Sequence, residues 1–282
     1  VVQFSPANTS TEFDTYDDKG LYFRTAPSDV LQGAVMGNLV VADGAKNIAI
    51  LARQDSYGEA LAANVEKTIQ AQGATVAAKV LYNADANQFT AEVNQVAASN
   101  PDAIVLIAFN ETTKIIPRLI ASGVGPQDVQ TYFVDGNTAD YSSDFPAGTL
   151  TGVKATYPGA QLTNDFRTKL LSVNPKLKDF TYGPESYDAT VLSALAATAA
   201  KSDSGKAIAS QIVNVSRDGT KCTDYAACVK LLDAGKDIDY EGVSGPVDMN
   251  DTGSPSKATI GIFQYGKDNT YTNLKYVTGV VE

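Results

Sequence analysis

The sequence contains no histidine. Ser-His-Asp and Cys-His nucleophilic catalysis are thereby excluded, together with the commonest zinc ligand. No apolar run approaches the roughly 20 residues that cross a bilayer as a helix. Basic residues are the minority charge: 22 Lys and Arg stand against 32 Asp and Glu, a net charge of −10. Such a field repels phosphates, which argues against nucleic acid or an anionic lipid surface as partner. Cysteine is limited to Cys222 and Cys228, flanking Thr-Asp-Tyr-Ala-Ala. Two cysteines without histidine do not complete a metal set, and their spacing is not that of a CxxC redox pair. The choice is between a small disulfide loop and two reduced thiols. The polar, Gly/Lys/Asp-flanked setting favours the disulfide, and with it an oxidising compartment.

What is present is an ordinary globular composition. The 282 residues are 44% apolar and 19% charged, enough core for one large domain or two smaller ones. The opening Val1-Val2-Gln3-Phe4-Ser5-Pro6 has no basic n-region and no h-region, so it does not read as a signal peptide. It reads as a strand entering a Ser-Pro turn, and the expectation is that the chain starts inside a fold.

Short apolar runs occur at 48–51, 76–82, 103–107 and 131–134, starting 27 or 28 residues apart. Between them lie stretches of helical period: Leu61, Val65 and Ile69; Phe89, Val93, Val96 and Ala97; Ile115, Ile116, Leu119 and Ile120 around an internal Pro117. Repeated βα units in one rhythm predict an α/β fold with a parallel sheet flanked by helices. Beyond a run at 153–157 and the Pro158-Gly159 pair, taken as a crossing between two lobes, helices are expected near 162–172 and 185–201 and after Lys206 and Thr223. The tail segments 243–247, 258–265 and 271–280 alternate like antiparallel strands.

In an open parallel sheet, ligands meet the loops at the carboxyl ends of the strands. The first such loop is Asp55-Ser56-Tyr57-Gly58-Glu59, where Ser56 and Glu59 have capping-box spacing and start a helix at Tyr57. The third carries Phe109 and the fourth Asp135. One carboxylate beside two rings, with no basic residue in these loops, suits an ammonium group bearing an apolar side chain. Against that stand plainer readings. Tyr57 and Phe109 also suit packing, and Asp135-Gly136 is a common turn. Asp55, Glu59, Asp135 and Glu185 could pair as carboxylates, but no nucleophile motif, phosphate loop or metal cluster accompanies them, so no enzyme and no cofactor is expected.

Several segments, in order along the chain, carry a resemblance: Ser5-Pro6-Ala7-Asn8-Thr9, the run from Tyr22 to Asp29 with Gln32, Tyr57-Gly58-Glu59, Val134-Asp135-Gly136, Ser186-Tyr187-Asp188-Ala189 and Gly245-Pro246-Val247. The chain resembles the substrate-binding proteins of branched-chain amino acid (Leu/Ile/Val-type) ABC transporters, with the two-lobe type I periplasmic-binding fold. The resemblance implies an extracytoplasmic, lipid-anchored receptor. It would bind a small ligand, foremost an aliphatic amino acid, between two hinged lobes and present it to an ABC permease. A ligand-sensing regulatory or receptor module of the same fold is the alternative. The resemblance further implies that Ala7 and Thr9 hold the ligand's carboxylate and ammonium and that Tyr57 lines the opposite side of the cleft. Phe109 stands where the family has Tyr, and Asp135, where Glu is frequent, pairs with the ammonium. Tyr182 or Glu185 covers the side-chain pocket. Lobe one is expected to comprise 1–27 and 158–265, and lobe two 28–157 and 266–282. The family's additional N-terminal part, roughly 100 residues or about three βα units, has no counterpart here. Lobe one is then incomplete, and the remainder belongs to the same protein or to a second chain.

Overall fold

In the computed structural model, which describes residues 1–281, the chain divides into two compact units. Among the described residues, unit 1 comprises 1–28, 158–259 and 278–281, and unit 2 comprises 29–157 and 260–277. The resemblance implies a lobe boundary at 265, whereas these compact units change over between Thr259 and Ile260 and again at Thr278.

Unit 2 is built on the βα rhythm. Helix α1 (Asp29–Ala42) leads to β3 (Asn47–Arg53), α2 (Ser56–Ala71), β4 (Thr75–Tyr82), α3 (Thr90–Ala98), β5 (Ala103–Ile107), α4 (Thr112–Ala121), β6 (Gln130–Phe133) and β7 (Lys154–Pro158), with β1 (Gln3–Ser5) and β2 (Tyr22–Arg24) preceding them in unit 1. Strands β3 to β7 pair in parallel. Two late strands, β10 (Lys257–Tyr265) and β11 (Tyr271–Val280), complete a seven-stranded sheet of order β11-β10-β7-β6-β5-β3-β4. All five residues of β5 are buried, as a strand covered on both faces requires. Leu51, Val93, Leu106, Ile116, Leu119, Phe133 and Leu150 belong to one core cluster.

Unit 1 holds the pair β1–β2, parallel from Gln3/Tyr22 to Ser5/Arg24. It also holds α5 (Asn164–Val173), α6 (Gly183–Ala200), α7 (Gly205–Ile212), β8 (Thr220–Cys222), α8 (Tyr225–Asp233) and β9 (Ile238–Tyr240). A second core gathers Phe23, Leu192, Leu195, Ile212, Ile238, Tyr240 and Met249. Cys222 and Cys228 are joined in a disulfide and lie in this core.

Two local expectations are corrected. The helix after β3 starts at Ser56, and its cap is Asp55, whose carboxylate accepts the Gly58 N–H at 2.8 Å. Segment 243–247 forms no strand: the N–H groups of Val243 and Ser244 donate to Asp188 at 3.1 and 2.7 Å instead of to a neighbouring strand. A buried carboxylate supplies the acceptors a ladder would have supplied.

Candidate functional site

The carboxyl ends of β3, β5 and β6 bring Tyr57, Phe109 and Asp135 together in unit 2. Helix α2 approaches β3 so closely that a Cβ at Gly58 would stand 2.1 Å from the Arg53 carbonyl oxygen. This contact, with the Asp55 cap, sets the first helical turn and places Tyr57 over the sheet end. The Tyr57 hydroxyl donates to Asp135 Oδ1 at 2.6 Å and accepts the Gly136 N–H at 3.3 Å. Its ring stacks on Phe109 with centroids 5.2 Å apart and planes 8° from parallel. Phe109 remains 40% exposed, so its ring is not a core residue.

The turn after β6 is locked from below. Asn137 accepts the Val134 N–H at 2.9 Å and donates to the Leu106 carbonyl at 3.2 Å, while the Thr138 hydroxyl donates to the Val134 carbonyl at 2.7 Å. A Cβ at Gly136 would come within 2.6 Å of the Ala108 carbonyl oxygen and 2.5 Å of the Phe109 ring. Only glycine permits that approach.

Gln32 on α1, fully buried, donates through Nε2 to Asp135 Oδ1 at 3.0 Å and to the Thr156 hydroxyl at 3.3 Å. Asp135 Oδ1 thus receives two protein donors. Burial first, then the Asp135 and Asp29 carboxylates, push the Tyr57 phenol well above its ordinary range. It is a neutral hydrogen-bond donor at any physiological pH.

The three loops themselves carry no basic residue, but the strand end beside them does. Arg53, the last residue of β3, places its guanidinium carbon 4.2 Å from the Phe109 centroid. It is paired with Asp55 and, at 2.9 Å, with Glu111. Arg53, Gln32, Glu111 and Gly136 were all missed as site residues. Gln32 and Gly136 stand in segments that carry the resemblance, Gly136 also in a turn signal, and the long separations between partners (Arg53 with Glu111, Gln32 with Asp135) leave no local pattern to read.

Ala7, Thr9, Tyr182 and Glu185 lie in unit 1. The Ser5 hydroxyl accepts the N–H groups of Ala7 and Asn8 at 3.3 and 2.9 Å, turning the chain after β1. Thr9 is buried between two carbonyls, those of Asn8 and Ser10, that accept from the Arg24 guanidinium at 3.3 and 2.9 Å. Arg24 is itself buried and paired with Asp14 at 2.7 Å. Tyr182 adopts a left-handed conformation at φ 53° ahead of α6. Glu185, in the first turn of that helix, is buried, and burial pushes its carboxyl up to about 8. A Cβ on Gly159 would meet its Oε1 at 2.6 Å.

Chemically, the unit 2 group offers a carboxylate, a neutral phenol and two stacked rings. Such a set has the chemistry to receive a cationic or hydrogen-bond-donating head beside an apolar body. No cluster of three or more metal-ligating side chains, and no helix long and apolar enough to cross a membrane, occurs among the described residues.

The family described as receptor family ligand binding region matches residues 1–268. The chain is 28% identical over 257 residues to the chemotactic signal transduction system substrate-binding protein BasB of Halobacterium salinarum, covering 87% of this chain and 59% of that protein. It is 24% identical over 282 residues to the leucine-, isoleucine-, valine-, threonine-, and alanine-binding protein of Pseudomonas aeruginosa, covering 98% of this chain and 68% of that one. Among solved structures, the leucine binding protein LivK of Thermotoga maritima superposes with a TM-score of 0.77 at 17% identity, over 98% of this chain and 73% of that chain, and so shares the type I periplasmic-binding fold. The chain thus spans about three fifths of the length of the Halobacterium relative.

Proposed function

We propose, from the premise that this chain belongs to the receptor family ligand binding region family, that it is the ligand-capturing part of an extracytoplasmic solute-binding protein whose guest is an aliphatic amino acid. The convergence of Asp135, Tyr57 and Phe109 on one sheet end carries the reading. Asp135 receives the guest's ammonium, and the Phe109 ring, with Tyr57 behind it, packs its side chain. The Pseudomonas relative, named for five amino acids of which four are aliphatic, supports the choice of guest. Ala7, Thr9, Tyr182 and Glu185 are proposed as further ligand contacts on the strength of the family resemblance. So are lipid anchoring, the correspondence of the two units to two hinged lobes, and delivery to an ABC permease.

Titration calorimetry of the protein with leucine, isoleucine, valine, alanine and phenylalanine tests the guest. Binding of at least one aliphatic member is expected. No heat from all five, with binding of a non-zwitterionic acid or amide, overturns the amino acid reading.

The Halobacterium relative's name supports a second destination for the bound form, a chemotactic receptor in place of a permease. Deleting the gene in its source organism separates the two: loss of labelled amino acid uptake supports the permease, and loss of taxis with uptake intact supports the receptor.

A further inference from the structure

We propose that Arg53 is a positioning residue for ligand selectivity, fixing the Phe109 ring and reserving it for an uncharged apolar group over a cationic one. This rests on the reading of Phe109 as a ligand contact.

Arg53 and Glu111 are largely buried, with side chains 15% and 13% exposed. Glu111 does two things. Its Oε1 holds the Arg53 guanidinium at 2.9 Å, and its Oε2 accepts the Phe109 backbone N–H at 2.8 Å. One carboxylate therefore anchors both the main chain of Phe109 and the cation that lies against its ring. On the other side of the clamp, Arg53 Nε donates to Asp55, whose second oxygen caps the helix carrying Tyr57. The Phe109 ring is bounded by a guanidinium, a parallel phenol ring and the Gly136 backbone.

A simple tie between loops would need the ion pairs alone. Here the cation also lies on an exposed aromatic ring. A ring whose quadrupole already faces a guanidinium attracts a second cation less, whatever the charge of the carboxylates that hold the guanidinium in place. A zwitterionic guest is then directed with its ammonium toward Asp135 and its apolar side chain toward Phe109, while a guest with a cationic side chain is rejected.

The test uses Arg53→Met and Arg53→Lys, each alone and combined with Phe109→Leu, with Asp135→Ala as control. Leucine, phenylalanine and lysine are the probes in calorimetry. Fluorine NMR of protein labelled with fluorophenylalanine follows the ring without ligand, the Phe109 signal being assigned by its loss in Phe109→Leu. Arg53→Met is expected to shift that signal, to weaken leucine and phenylalanine about tenfold, and to narrow the discrimination against lysine. Arg53→Lys keeps the charge but not the planar stack, so it retains the discrimination with part of the affinity lost. In the Phe109→Leu background, Arg53→Met has no further effect on leucine. An unmoved fluorine signal, or an equal loss with and without Phe109, overturns the proposal. If Asp135→Ala abolishes leucine binding while the Arg53 variants bind as wild type, the functional reading stands and this inference falls. If wild type binds none of the three probes, the amino acid reading and the selectivity claim fail together, and the fluorine signal alone decides whether Arg53 positions the ring.

Discussion

Asp135 and Glu185 are two carboxyl groups in different surroundings, one half-buried and one buried, and each yields a prediction. Asp135 sits on a half-buried rim, where Gln32 and Tyr57 both donate to its Oδ1. It supports little core, so Asp135→Ala should leave the melting temperature within a few degrees of wild type. The variant should lose about 2 kcal/mol or more of ligand affinity, the scale of removing a charged hydrogen-bond partner. Calorimetry with leucine beside a thermal melt checks both, and unchanged affinity would return Asp135 to being a turn residue. Glu185 is buried, and its carboxyl stays protonated up to about 8 against an ordinary 4.5. Between those values the folded state holds a proton that the unfolded chain has released, so stability falls as pH rises through this window. Glu185→Gln, which cannot ionise, should match wild type most closely below about pH 4.5. It should gain on wild type progressively toward pH 8, with a constant difference above it. Urea unfolding midpoints across that range measure the effect, and parallel pH profiles would show that Glu185 does not titrate in this way.

At the scale of elements, α1 and α2 pack through two glycines. A Cβ at Gly33 would stand 2.4 Å from Asn64 Cβ, and one at Gly37 would stand 2.6 Å from Thr68 Cβ. Gly33→Val should therefore force the helices apart and cost about 1–3 kcal/mol, the range for overpacking. Denaturant unfolding reads the cost, and a loss below about 0.5 kcal/mol would mean the helices yield freely. This packing also shows where sequence reading ends. Strands β3 and β5 were legible because burial on both faces leaves uninterrupted apolar runs. Helix α2 was legible because Leu61, Val65 and Ile69 repeat on one side. Helix α1 has no such contrast: Leu31, Val35, Met36, Leu39 and Val40 are buried beside small Gly and Ala residues, so no polar face marks its period. Segment 243–247 alternated like a strand, yet its N–H groups went to Asp188, more than fifty residues away. At the candidate site, Tyr57, Phe109 and Asp135 were found because strand-end position is a rule of topology. Arg53 and Glu111, 58 residues apart and joined only in space, obey no local rule.

For the molecule as a whole, the net charge of −10 turns the class of guest into a question of ionic strength. Long-range attraction or repulsion scales with the net charge of what approaches, and salt screens it over a Debye length of about 8 Å at physiological strength. A zwitterion has no net charge, so the acidic field does little to steer it. In the proposed binding mode its affinity rests on short contacts such as the pairing with Asp135, a half-buried residue partly shielded from bulk ions. Leucine affinity should therefore change less than about twofold between low salt and several-fold physiological salt. An anionic guest would bind better as salt screens the repulsion, and a cationic one would bind worse. Calorimetric titration at three ionic strengths measures the slope. A steep slope of either sign would mean that the true guest carries net charge, and that Asp135 and the stacked rings serve something other than a neutral amino acid.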